Sequence, residues 1–184
     1  MTLRYVWDPA VRLFHWSLVV AFAANALLTD PESRLHANIG YAVAALIALR
    51  LLWGLIGSRH ARFADFPPSV SGAMGQLSDI AAGRVRRHIG HTPLGALMIY
   101  NLLLTLALIC LTGWMMTTTA YWGVEWVEET HEVLVAWAEI SVVAHIAAIA
   151  LESLRTRVSL PKAMVTGYKE LPEPGPVSPA DRPV

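Results

Sequence analysis

The sequence predicts an all-helical membrane protein, a bundle of four transmembrane helices. Hydrophobic residues make up 55% of the 184 residues and charged residues only 15%. Four apolar stretches have about the 20 residues that a spanning helix needs, and no strand-like alternation of apolar and polar residues is evident. The stretches cover residues 13–28, 35–57, 93–117 and 131–151. We expect residues 1–170 to form one membrane domain and the proline-rich residues 171–184 to be a disordered tail.

Charge and cysteine content exclude several classes of protein. The formal net charge is zero and no basic stripe is present, which argues against nucleic-acid binding. The single Cys110 excludes a disulfide framework, a C-x-x-C-H haem attachment and a cysteine-ligated iron–sulfur cluster.

The first stretch is the shortest and follows Arg4 and Arg12, as the apolar core of a signal peptide would. Three further stretches and the presence of His15 favour a retained helix instead.

Loop charges predict the orientation of the four helices. The connection TDPES and the connection between the third and fourth stretches are acidic, whereas residues 58–92 contain five arginines and basic residues follow the fourth stretch. The positive-inside rule therefore places both termini and the long loop in the cytoplasm.

The long basic loop contains a possible short helix. Met74, Leu77, Ala81 and Val85 recur at helical spacing, which suggests a helix lying at the membrane interface. A frayed loop is the alternative.

Four histidines sort into two layers by depth in the membrane. His15 lies near the cytoplasmic start of the first helix, and His36 lies in the first turn of the second, on the periplasmic side. His131 begins the fourth helix on the periplasmic side, and His145 lies about 21 Å further in at 1.5 Å per residue. Fourteen residues make nearly four helical turns, so His131 and His145 share one face.

This spacing predicts two cofactors stacked across the membrane, each held by two imidazoles. Two imidazoles on opposite sides of a planar macrocycle give a six-coordinate haem iron suited to electron transfer. Zinc needs three or four ligands in one cluster, and two in each layer are too few. The alternative is that the histidines are buried structural residues.

Three other residues are candidates for haem contact. Gly40 and Gly95 would let a porphyrin approach closely, although helix packing explains them equally well. Arg50 lies fourteen residues after His36, on the same face at the cytoplasmic depth, where it could pair with a haem propionate. Snorkelling of Arg50 to the interface is the alternative.

Two ionisable residues are harder to interpret. His91 precedes the third helix at the cytoplasmic surface, where it could exchange protons with a quinone or simply be exposed. Glu139 lies between the two layers, turned about 80° from the histidine face at 100° per residue.

Several motifs together resemble bacterial di-haem membrane cytochromes b, namely the cytochrome b561 group and the b-type cytochrome subunits of nickel–iron hydrogenases. The motifs are VWDPAVRLFHW, LHANIGY, RLLWGLIGSRHARFADF, GHTPLGALMIYNLL and the histidine pair of the fourth helix. The resemblance covers residues 4–169. It implies that His15 and His145 ligate a cytoplasmic-side haem iron and that His36 and His131 ligate a periplasmic-side one.

The resemblance also implies electron exchange between a membrane quinone or quinol and a redox partner. We expect the partner to be a periplasmic c-type cytochrome or a dehydrogenase subunit, with a homodimer possible. Whether the chain acts as an enzyme stays open: alternatives are a superoxide:quinone oxidoreductase, a cytochrome subunit of a hydrogenase or dehydrogenase complex, and a non-redox scaffold. The short first connection differs from hydrogenase subunits, and the acidic outer loops disfavour a site that attracts superoxide.

Overall fold

The computed structural model describes residues 2–171, which fold mainly as helices. In chain order the elements are β1 (Thr2–Tyr5), α1 (Pro9–Leu28), α2 (Arg34–Ile56), a 3-10 turn (Phe63–Asp65), α3 (Val70–Ala81), α4 (Pro93–Met116), α5 (Glu125–Thr156), α6 (Leu160–Thr166) and β2 (Tyr168–Leu171). Helices α1, α2, α4 and α5 are long and apolar enough to cross a membrane. The prediction of a four-helix membrane bundle is confirmed.

Two of these helices, α1 and α5, begin before the apolar stretches, where polar residues favour the first helical turn. The Asp8 carboxylate accepts a hydrogen bond from the amide of Val11 at 2.9 Å, and Pro9 takes the first helical position of α1. In α5, Glu125 and Glu128 occupy the first turn, where the helix dipole favours carboxylates.

Helix α4 is the central element of the bundle. It packs against both α2 and α5, and α1 packs against α2. Val43 and Ile47 of α2 form a buried cluster with Leu106 of α4. Asn101 of α4 donates to the Ser141 hydroxyl of α5 at 2.9 Å. Within residues 2–171, α5 makes no comparably close backbone contact with α1 or α2, so it is attached to the bundle through α4.

A two-stranded antiparallel sheet joins the two ends of the described chain. Strand β1 pairs with β2 in the register Thr2↔Leu171 to Tyr5↔Tyr168. We predicted no strand, and this was wrong, because four-residue strands are too short to display an alternating pattern. We call the end of the bundle that carries β1 and β2 the sheet end. The opposite end, with residues 29–33 and 117–124, is the far end.

The sheet end has its own small core. Val6, Trp7 and Val11 pack with Ala61 of the long loop and Ala163 of α6. This core ties the first residues of the chain to the last described ones and to the loop after α2. We call this packed assembly of β1, β2, α6 and the long loop the cap. The far end, in contrast, consists only of the connections formed by residues 29–33 and 117–124.

The helix predicted within the long loop is present as α3. Met74 and Leu77 are exposed on it, as an interfacial helix requires. Val85 lies beyond α3, contrary to the predicted spacing, because the helix ends at Ala81 and the chain turns at Gly83, whose φ is +69°. Asp79 holds this turn through contacts with Arg84 at 2.7 Å and Arg86 at 2.8 Å. Leu171 of the predicted tail lies in β2, and residues 172–184 fall outside the described part of the chain.

Candidate functional site

His36 and His131 lie together at the far end. His36 is in the first turn of α2, and His131 is in the second turn of α5, which also begins at the far end. Their ring centroids are 6.5 Å apart and the ring planes are inclined by 64°. With metal–nitrogen bonds of about 2 Å, two imidazoles on opposite sides of one metal ion have ring centres roughly 6 Å apart. The separation therefore fits two imidazoles that share a metal ion, and it also lies in the range of an edge-to-face ring contact.

A threonine hydroxyl contacts each ring of this far-end pair. The Thr112 hydroxyl oxygen lies 2.9 Å from Nδ1 of His131, and that of Thr29 lies 3.2 Å from Nδ1 of His36. A Cβ atom added at Gly113 would lie 3.2 Å from Cε1 of His131, so the ring packs against a glycine. Because both Nδ1 atoms are engaged, Nε2 is the atom left to bind a ligand.

His15 and His145 occupy the sheet-end half of the bundle, on α1 and α5. The two imidazoles are close enough to interact electrostatically. Nδ1 of His15 is buried without a hydrogen-bond partner among the described residues, and Trp16 packs edge-on at 5.2 Å between ring centroids. A buried ring nitrogen without a partner is costly, which makes His15 a candidate for contact with a bound group.

Comparison with known proteins identifies the family. The family model described as prokaryotic cytochrome b561 matches residues 6–167. The chain belongs to this family. No curated protein and no solved structure gives a significant match. The cytochrome is thus a multi-pass membrane protein that binds b-type haem and transfers electrons.

The histidine geometry fits haem of this cytochrome. Bound haem would supply an iron that changes oxidation state by one electron, and paired imidazoles are side chains that could hold that iron. The far-end pair has the separation for one shared iron, and the sheet-end pair includes the buried, unpartnered Nδ1 of His15.

Arg50 is buried at the sheet end of α2, with 5% of its surface exposed. Its Nη2 donates to the backbone carbonyl of Ala61 at 3.0 Å, and the guanidinium carbon lies 4.9 Å from the centroid of the Phe63 ring. Nη1 is buried without a partner among the described residues. Arg50 therefore does not snorkel to the interface; it holds the long loop through the carbonyl of Ala61.

The two candidate glycines differ in their surroundings. A Cβ atom at Gly40 would meet no protein atom within 4 Å, whereas one at Gly95 would lie 3.1 Å from the Thr92 hydroxyl. The Gly95 amide donates to that hydroxyl at 3.1 Å and so caps α4. Gly95 thus has a local structural role that the sequence did not suggest, and Gly40 is the more open position for a macrocycle.

His91 sits inside the cap rather than on its surface. Its ring lies 4.1 Å from Phe66 and 4.6 Å from Trp7 by centroid distance. Burial, with smaller contributions from Lys169, Arg50 and His60, lowers the pKa of His91 to about 3. Its imidazole is therefore neutral near pH 7, which disfavours the suggested proton exchange with quinone.

Lys169 closes this cap and was not singled out from the sequence. The Lys169 ammonium group, on strand β2, donates to the carbonyls of Gly90 at 2.9 Å and His88 at 3.3 Å. It lies 5.4 Å from the centroid of the Trp7 ring. Burial, only partly opposed by Glu152, lowers the pKa of Lys169 to about 8. No sequence signal marks Lys169, since its partners are backbone carbonyls some 80 residues away.

Glu139 faces outward from α5. Its side chain is exposed, and it has no hydrogen-bond partner within residues 2–171. It lies near the middle of the longest helix, away from both histidine pairs. Glu139 is therefore not part of either histidine pair.

Proposed function

We propose that the protein is an electron-transfer cytochrome of the bacterial inner membrane that carries two bis-histidine b-type haems. His36 and His131 ligate the haem iron at the far end, and His15 and His145 ligate the one at the sheet end. The proposal depends above all on the 6.5 Å separation of the far-end rings, because it suits two ligands of a single metal.

The second pair and the helix packing support a count of two haems. His131 and His145 are both on α5, fourteen residues and therefore about 21 Å apart by helix rise, which is too far for one iron. Helix α5 is attached through α4 rather than packed on α1 or α2, so the histidine-bearing faces are not closed by direct helix contacts.

The basic residues support an orientation with the sheet end in the cytoplasm. Arg84, Arg86 and Arg155 lie at this end, while Asp30 and Glu32 are exposed at the far end. The positive-inside rule then puts the far-end haem on the periplasmic side.

In this orientation we propose that electrons pass between quinone or quinol in the membrane and a periplasmic redox protein. The acidic far-end connections complement a basic surface on such a partner, as on a soluble c-type cytochrome, and would speed its encounter. A superoxide:quinone oxidoreductase is not favoured, since acidic residues repel the anion.

Spectra of the purified protein test the proposal. We expect a reducible b-type absorption band and two haems per chain. His131→Ala and His15→Ala should each leave one haem, and the double variant none. His60→Ala, at the sheet end outside both pairs, is the control and should keep two. One haem per chain in the wild type, or two in either single variant, would contradict the assignment.

A further inference from the structure

The two threonine contacts at the far end assign a tautomer to both histidines. Thr112 lies in α4 with 5% of its surface exposed, and its hydroxyl is 2.9 Å from the carbonyl oxygen of Leu108 and 3.1 Å from that of Ile109. A hydroxyl has one proton, which this carbonyl pair takes up. The hydroxyl oxygen is therefore the acceptor for His131, and Nδ1–H of His131 is the donor.

Thr29 repeats the arrangement on the other ring. Its hydroxyl lies 2.9 Å from the carbonyl oxygen of Asn25, one turn earlier in α1, and 3.2 Å from Nδ1 of His36. The Asn25 side-chain amide also donates to the carbonyl of His36 at 3.2 Å. The start of α2 is thus bound to the end of α1 from both the backbone and the ring of His36.

The sheet-end pair has no such support. Nδ1 of His15 has no partner, and His145 makes no side-chain hydrogen bond among the described residues. The hydroxyl contacts are therefore specific to the far end and do not simply accompany every histidine in these helices.

A donor bond from Nδ1 has two effects on an imidazole that binds a metal. It fixes the ring orientation and leaves the lone pair on Nε2, and it shifts electron density toward that nitrogen. A more electron-rich ligand stabilises oxidised iron over reduced iron, so it lowers the reduction potential.

We propose that Thr112 and Thr29 are positioning residues of the far-end haem site. They fix the tautomer and ring orientation of His131 and His36 and lower the midpoint potential of the far-end haem. This inference rests on the proposed function, because it requires that the two histidines ligate iron. Thr112 carries the larger share, since its contact is shorter and it is buried.

The test is a redox titration in a His15→Ala background, so that only the far-end haem is titrated. Thr112→Val keeps the shape of the side chain and removes the hydroxyl. We expect the midpoint potential to rise and the low-spin ferric paramagnetic resonance signal to change. A tenfold change in the relative affinity of the site for oxidised and reduced haem corresponds to 59 mV for one electron.

Two variants of the same helix control for structural effects. Thr112→Ser retains the hydroxyl and should restore the wild-type potential and signal. Thr105→Val makes the same substitution at another position of α4 that is also 5% exposed but has no histidine contact. It should leave the potential unchanged.

The outcomes separate this inference from the haem assignment. If Thr112→Val retains its haem with an unchanged potential, or if Thr105→Val shifts it equally, the positioning role is refuted while the ligand assignment stands. If His131→Ala keeps both haems, the assignment itself fails. Should Thr112→Val fail to fold, Thr29→Val carries the same measurement through His36, with a smaller rise supporting the role and no rise refuting it.

Discussion

Replacing Arg50 distinguishes a structural residue from a haem-contacting one. Arg50→Met keeps most of the apolar stem but removes the hydrogen bond to the backbone carbonyl of Ala61, a residue with only 1% of its surface exposed. A buried carbonyl that loses its partner costs about 1–3 kcal/mol, and the contact with Phe63 adds about 0.5–2 kcal/mol. Removing a buried charge with an unpartnered Nη1 offsets part of this loss. We expect a net loss of about 1–3 kcal/mol in the free energy of unfolding.

The redox consequence depends on where the free Nη1 points. If it pairs with a haem propionate, loss of the positive charge disfavours reduction and lowers the midpoint potential of the sheet-end haem. A unit charge within about 10 Å of a redox group contributes roughly 1–2 kcal/mol at an effective dielectric constant of 20. One such unit of about 1.4 kcal/mol corresponds to 59 mV for one electron. The expected shift is therefore several tens of millivolts downward.

The assay combines thermal unfolding in detergent with redox titration in a His131→Ala background, where only the sheet-end haem is titrated. Arg50→Lys keeps the positive charge, so the midpoint potential of the sheet-end haem should stay close to the wild-type value while the free energy of unfolding falls. Arg155→Met removes another sheet-end arginine that donates to a backbone carbonyl, that of Arg84 at 2.8 Å, and should affect stability alone. A destabilised Arg50→Met protein with an unshifted potential would refute the propionate contact and leave Arg50 as a support for the loop.

Three further predictions address the far-end haem and the cap. Gly40→Ala adds a Cβ that meets no protein atom within 4 Å, so it should leave the helix stable but lower the haem-to-protein ratio if a porphyrin lies there. Gly75→Ala, at an equally open position of α3, is the control and should keep the wild-type ratio. The same haem-to-protein ratio in both variants would show that Gly40 does not contact haem. The pKa of His91 is lowered from 6.5 to about 3 by burial, so the unfolded chain binds this proton more readily and stability should fall as the pH drops from about 6.5 toward 3. His91→Phe should reduce this loss of stability when the free energy of unfolding is measured by denaturation at a series of pH values. The same pH dependence in the variant as in the wild type would contradict the burial of His91. The pKa of Lys169 is lowered from 10.5 to about 8, so stability should rise from pH 8 to 10.5 in the wild type but not in Lys169→Met, and the same rise in the variant would exclude Lys169 as its source.

The helices and the histidine heights were predictable because both follow from helix length and rise. Apolar length locates a span without knowledge of its neighbours. A fixed rise per residue places His36 and His131 at the same height, because α2 and α5 both begin at the far end and run in the same direction. The structure brings these two rings together at 6.5 Å, although no lateral packing was used in the prediction.

The features that were missed depend on lateral contacts and on short segments. Pairing of β1 with β2 joins segments more than 160 residues apart, and neither segment has enough residues to reveal a pattern. The burial of Arg50 follows from the return of the loop at Ala61, which helix periodicity does not encode. Thr112 could have been singled out, since it is a polar residue within the third apolar stretch near the depth of His131, but depth alone does not reveal which face of α4 it occupies.

The contrast between the two ends bears on how electrons enter and leave. At the far end, His36 lies within the first turn of α2, next to the short connection of residues 29–33, so the proposed haem there would lie near the surface of the membrane. At the sheet end, the cap formed by the long loop, α6, β1 and β2 lies over the bundle, with Trp7, Phe66 and Lys169 at its centre. A large protein is kept at a distance there, whereas a small molecule dissolved in the membrane can reach the bundle from the side. For the proposed function, we therefore expect exchange with a protein at the far end and with quinone at the sheet end.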